Sequence, residues 1–134
     1  MITLAQAIND TKEAISLILL QAGFANGSKG IVDDKPMFWF INVTSIEGGE
    51  KETYLTYSFS TVPGQNQHGD GQPISRYLRV DLNLWSRKKD VDDLIKKLED
   101  VFVLRGFPFE LDNIDYDSGN QLYRYSFYTN CVVS

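Results

Sequence analysis

The stretch Tyr77-Leu78-Arg79-Val80-Asp81-Leu82-Asn83-Leu84-Trp85 alternates without a break: Leu78, Val80, Leu82 and Leu84 fall on one side, Tyr77, Arg79, Asp81, Asn83 and Trp85 on the other. Successive side chains of a β-strand point to opposite faces, so this run reads as a strand with one face on a core and one face turned away from it. A sheet with a single apolar face needs a covering layer, and the sequence on both sides supplies helices to make it.

Downstream, Val91, Leu94, Ile95, Leu98, Val101 and Phe102 recur at three- and four-residue spacings, which predicts an amphipathic helix over residues 91–105. Asp90 is the expected N-cap, Asp92 and Asp93 sit near the positive end of the helix dipole, and Gly106 followed by Pro108 ends the helix. Its carboxylates, Glu99 and Asp100 included, read as solubilising groups. The pairs Asp92/Lys96 and Asp93/Lys97 have the favourable i,i+4 orientation, worth only ~0.2–0.5 kcal/mol each. Upstream, Leu4, Ile8, Thr11, Ile15, Ile18, Leu19 and Ala22 predict a first helix over residues 4–22, with Thr3 as N-cap and Gly23 as its left-handed stop.

Asn26 to Pro36 is rich in turn formers and reads as a connector. Met37 to Thr44 and Tyr54 to Val62 carry aromatic and β-branched residues and read as two strands, joined as a hairpin through Glu47-Gly48-Gly49-Glu50. Gly64 to Ser75, GQNQHGDGQPIS, has almost no apolar side chain and reads as a long flexible loop. The C-terminal part predicts a hairpin: Phe107 to Tyr116, a turn at Asp117-Ser118-Gly119-Asn120, then Gln121 to Val133 with Tyr123, Tyr125, Phe127, Thr129 and Cys131 on one face. The expected class is therefore α+β: a mostly antiparallel sheet, two helices packed on one face, and a long flexible central loop, forming a single domain over residues 1–134.

Composition narrows the function. The chain has 134 residues, 43% hydrophobic and 23% charged, enough to bury a core of its own. A lone cysteine excludes an internal disulfide, and no Cys/His cluster suggests a structural metal, which points to a reducing compartment. No stretch has the length and apolarity of a membrane span. A formal net charge of −5 opposes sequence-independent binding to phosphate backbones.

Isolated chemical motifs are weak. His68, the only histidine, lies with Asp70 in the glycine-rich segment, and a general base or a metal needs more partners than this pair offers. The glycines there do not match a phosphate-binding loop. Asn113, Asp115 and Asp117 resemble the start of a calcium loop, but Ser118 stands where the sharp-turn glycine belongs and Arg124 where the bidentate glutamate belongs. A hairpin turn accounts for the same residues. Cys131 reads as a small buried hydrophobe. Neither a catalytic, a metal nor a cofactor site is expected. The polar sheet face remains: Arg79, Asp81 and Asn83 on one strand, Thr56, Ser58 and Ser60 on a second, Arg124, Ser126 and Tyr128 on a third. It is either solvated or turned toward a neighbouring subunit or a channel.

Taken together, the strand Arg76 to Ser86, the helix Asp90 to Arg105 and the closing aromatic hairpin, with the N-terminal helix, the Phe38-Trp39-Phe40 strand and the central loop, resemble the tail-completion proteins (tail terminators) of long-tailed phages, most nearly those of siphophages of Gram-positive bacteria. The likeness spans essentially the whole chain and rests on the order and pattern of elements. It implies a structural virion protein that caps the head-proximal end of the tail and joins it to the DNA-filled head as a ring, commonly a hexamer. The implied partners are further copies of itself, the tail-tube protein and the head-completion protein, with DNA passing through without specific binding. Location in the virion tail, and in the host cytoplasm during assembly, follows. The family's loop contacts would fall here on Gln65, Asn66, Gln67, His68, Asp70 and Gln72 as a region. Ordering all twelve residues from Gly64 to Ser75 on assembly would cost on the order of 12–24 kcal/mol, which predicts a monomer in isolation and closure on a tail template. Two other readings are a small hydrolase using His68 and Asp70, and a binding adaptor presenting a sheet edge.

Overall fold

The computed structural model describes residues 3–29, 35–40, 53–61, 67–69, 72–88 and 91–133. Two helices, α1 (Leu4–Gln21) and α2 (Asp92–Leu104), cover one face of a mixed, mostly antiparallel sheet, as expected of an α+β chain. The strands are β1 (Ala25–Asn26), β2 (Met37–Phe40), β3 (Thr53–Thr61), β4 (Gln67–Gly69), β5 (Gln72–Ser86), β6 (Glu110–Asp117) and β7 (Leu122–Val133), with a 3₁₀ turn over Gly27–Lys29. Their order is β1-β2-β3-β5-β7-β6, with β4 paired to β5 beside this path.

The alternating stretch is the centre of the sheet. Leu78, Val80, Leu82 and Leu84 of β5 are buried against the helices, and β5 is flanked by β3 and β7, both antiparallel to it. From α1, Ile15, Ile18 and Leu19 enter the same core, and from α2, Leu98 and Phe102. Each such buried side chain contributes roughly 1.5–3 kcal/mol. Phe102, Phe109 and Phe127 stack in series with ring centroids 5.1 and 4.7 Å apart, fastening α2 and the entry to β6 onto β7.

Thr3 caps α1 as its position predicts. Its Oγ1 accepts from the Gln6 amide at 3.1 Å, and the Gln6 side chain accepts from the Thr3 amide at 3.0 Å, a capping box. Gly23 and Gly106 follow the two helices with φ of 97° and 85°, where the absence of a Cβ is needed. At α2 the N-cap position belongs to Val91, not Asp90, and no side chain caps it; Asp92 and Asp93 supply the negative charge of the first turn instead. Asp90 itself lies outside the described residues. On the exposed side of α2, Lys96 reaches Asp100 at 3.4 Å.

Two expectations about connectivity are overturned. β2 and β3 do not form a hairpin: they run parallel, Met37 opposite Tyr54 and Phe40 opposite Tyr57. Parallel neighbours cannot be joined by a tight turn and need a connection of about a dozen residues or more; Glu47-Gly48-Gly49-Glu50 lies outside the described residues. The segment expected as one long loop is partly strand. Gln67–Gly69 pairs antiparallel with the start of β5, Gln67 opposite Ser75 and Gly69 opposite Gln72, while residues 64–66, 70 and 71 are outside the described residues. Pro73 is tolerated there because β7 joins β5 only from Arg76 onward, so among the described residues one side of the strand has no ladder to satisfy.

Candidate functional site

The register of β3, β5 and β7 assembles the polar face in rows. Tyr54, Trp85 and Arg124 form one row, Thr56, Asn83 and Ser126 the next, then Ser58, Asp81 and Tyr128, then Ser60, Arg79 and Asn130. The structure thus brings together all four predicted face residues, Arg79, Asp81, Asn83 and Arg124. Directly opposed and diagonally placed side chains lie close enough to interact, and the bonds here run within a row, between adjacent rows and along β5.

Ser126 Oγ donates to Asn83 Oδ1 at 2.7 Å, and Trp85 Nε1 donates to Thr56 Oγ1 at 3.1 Å. Arg79 Nε donates to Asp81 Oδ1 at 2.7 Å, Asp81 also accepts from Ser60 at 3.3 Å, and Arg79 Nη2 approaches Asp112 of β6 at 3.5 Å. The bond it donates to Asp81, helped by the charges of Asp81 and Asp112, holds the Arg79 guanidinium above its ordinary value. The same guanidinium lies 4.4 Å from the Tyr128 ring. Arg124 pairs with Asp115 of β6 and lies 5.8 Å from the Trp85 ring.

An aromatic set closes one end of this face; strand alternation places Trp85 there, but its grouping with Tyr54 and Trp39 is not among the sequence expectations. Trp85 stacks on Tyr54 with centroids 6.2 Å apart, and Trp39 meets Tyr54 edge-on, also at 6.2 Å. Burial pushes the Tyr54 phenol up, against a smaller opposing effect of the Arg87 charge. The signal was present in Trp39 and Trp85, each at an outward position of its strand, where an aromatic side chain has no core to enter.

Chemically this face is a network of hydrogen bonds and ion pairs in which Asp81, Asp112 and Asp115 neutralise Arg79 and Arg124. Both arginines are matched by carboxylates, so neither offers a free cation to a phosphate. Among the described residues no group of three or more His, Cys, Asp or Glu could hold a metal ion, and no helix is long and apolar enough to cross a membrane. Of the calcium-like residues Asn113 and Asp115 lie within β6, and Asp117 ends it at the β6–β7 turn, where it accepts from the amides of Gly119 and Asn120 at 3.0 and 3.3 Å; those bonds, that of the Asn120 side chain first, hold its carboxyl below the usual value.

The candidate assembly loop is only partly described. Gln67 and His68 lie on β4, His68 opposite Pro73, and Gln72 begins β5; Gln65, Asn66 and Asp70 are outside the described residues. The backbone places Cys131 on β7 opposite Leu78.

Exposed apolar side chains collect in two other places. Leu17 and Leu20 of α1 and Val103 and Leu104 of α2 are exposed near the helix ends, which are tied together where Arg105 donates twice to Gln21 Oε1 at 2.7 and 2.9 Å. Leu111, Ile114 and Tyr116 are exposed on β6, the strand that ends the sheet. No protein-family model matches this chain, and comparison with curated proteins gives no match.

Proposed function

We propose that this chain is a structural tail-completion protein of a long-tailed phage, one wedge of a hexameric ring at the head-proximal end of the tail. One ring face meets the tail-tube protein, the other meets the head-completion protein, and DNA passes through the centre. Its place is the virion tail, reached from the host cytoplasm during assembly.

The observation that carries this reading is the pair of exposed apolar surfaces on different parts of one small domain: the joined ends of α1 and α2, and the edge strand β6. A ring subunit that meets further copies of itself and also a different protein above or below the ring needs more than one exposed apolar surface, and these are two, at separate places on the domain. The cross-linked polar sheet face suits a wedge that must hold its shape between two larger assemblies. With a net charge of −5 per copy, free subunits repel one another, so the chain is monomeric alone and the ring closes on the tail end.

The test is a phage lacking this chain, viewed by electron microscopy. Filled heads and unattached tails accumulating separately are the expected result, with joining restored when purified protein is added to the extract. Normal virions without the protein would overturn the assignment.

A further inference from the structure

We infer that the open edge of β6, with the groove between β6 and α2, is a docking site for an extended segment of another protein, one carrying apolar side chains at alternate positions and lysine or arginine between them. Three features carry the inference, and none depends on the ring.

The first is the edge itself. β6 pairs with β7 on one side, and among the described residues no strand pairs with its other side. Eight residues of extended chain thus present alternate amides and carbonyls outward, a template for one more strand. The second is the apolar lining. On the helix side of β6, Leu111, Ile114 and Tyr116 are 55%, 53% and 51% exposed, because α2 stops short of covering them. Leu111 and Ile114, with Ile95 and Phe109, line a groove of about 260 Å³. Large apolar side chains gathered in this way on a strand edge mark contact sites.

The third feature selects the occupant. Glu110, Asp115 and Asp117 lie on the opposite face of β6 from the apolar residues, Asp112 occupies a bulge, and Glu99 of α2 stands at the groove; with Asp112 and Asp115 paired to Arg79 and Arg124, it is Glu110, Asp117 and Glu99 that leave this edge net negative. A second β6 would set carboxylates against carboxylates, which is destabilising. A strand with apolar residues toward the groove and cations on the other face matches both sides of β6 in register. The bulge at Asp112 and these acids also keep the edge from pairing with itself.

The experiment uses two fluorescein-labelled octapeptides, one alternating lysine with valine and isoleucine, the other identical with glutamate for lysine, titrated against the full chain by fluorescence anisotropy. Saturable binding of the lysine peptide, at least tenfold tighter than the glutamate peptide and weakened by salt, is expected, with new amide exchange protection confined to residues 110–117. Ile114→Asp removes the binding, and the surface pair Glu99→Gln with Glu110→Gln weakens it at least threefold, circular dichroism showing the same fold in both. Equal affinity for the two peptides, protection elsewhere, or no saturable binding would overturn the inference. So would self-association through β6 that Ile114→Asp abolishes, since the occupant would then be a second copy.

Discussion

Gly27 is held small by space and not by backbone conformation. Its φ is not in the left-handed region, yet a Cβ built on it would lie less than 3.0 Å from three ring atoms of Trp39. In Gly27→Ala the indole must therefore shift or the 3₁₀ turn must lift. Overpacking of this kind costs ~1–3 kcal/mol. Movement of Trp39 also loosens its edge-on contact with Tyr54, worth ~0.5–1.5 kcal/mol. The expected loss is about 2–4 kcal/mol, which for a chain of this length lowers Tm by about 7–14 °C. Thermal and urea unfolding measure it, and the indole emission reports the displaced ring directly. The decisive comparison is a double-mutant cycle with Trp39→Val, which removes the obstructing ring. In that background Gly27→Ala should cost less than ~0.5 kcal/mol, because Ala is otherwise the better residue in a helical turn. A loss that is the same in both backgrounds, or a wild-type-background loss below ~0.5 kcal/mol, would refute the packing argument.

Two further outcomes follow from buried polar groups. Thr129 is fully buried on the helix side of β7 opposite Val80, and its hydroxyl has no hydrogen-bond partner among the described residues. Thr129→Val keeps the shape and removes that unpaired group, so it should stabilise the protein by ~1 kcal/mol in urea unfolding; a loss of stability would show that the hydroxyl is satisfied. Tyr57 is buried, which pushes its phenol up, and a bond with Ser16 at 3.3 Å offsets this in part. The folded state then holds a proton that the unfolded chain loses near its usual value of about 10, so stability is full below that pH and falls as pH rises through the higher folded value. Tyr57→Phe should flatten this alkaline decline, with Tyr54→Phe removing a further part of it; an unchanged alkaline slope in the double variant would contradict the assignment.

The polar sheet face owes its rigidity to mutual pairing more than to any single contact. Exposed ion pairs such as that between Arg79 and Asp81 contribute little individually, about 0–1 kcal/mol, since both side chains remain partly hydrated. Their effect here is geometric. Asp81 is held by Arg79 and Ser60 at once, Asp112 draws the same guanidinium toward β6, and Tyr128 lies against it. Single substitutions on this face therefore alter its shape and charge pattern before they alter stability.

Local rules made much of this protein legible in advance. The two helices, the central strand with its buried row, the Thr3 cap, the glycine stops and the closing hairpin all rest on periodicity and on interactions within a few residues. The composition of the polar face was readable too, because strand alternation assigns each side chain to a face before any partner is known. What escaped was pairing between distant segments. Phe38 and Phe40 face the helices while Met37 and Trp39 face the other way, and an apolar run on both sides of a strand suits a parallel neighbour as well as a hairpin. The start of β5, Gln72 to Ser75, pairs with β4 and not with β7, and Pro73 and Ile74 are its only apolar residues, so no hydrophobic period announced it. On β6 the apolar residues fall three apart from Leu111 to Ile114 and two apart from Ile114 to Tyr116, an irregularity that the bulge at Asp112 resolves. Side-chain period is a property of one segment and could be read from the chain. Which strand lies beside which, which edge stays open and how far a helix reaches across it depend on contacts between segments far apart in sequence, and only the folded structure decides them.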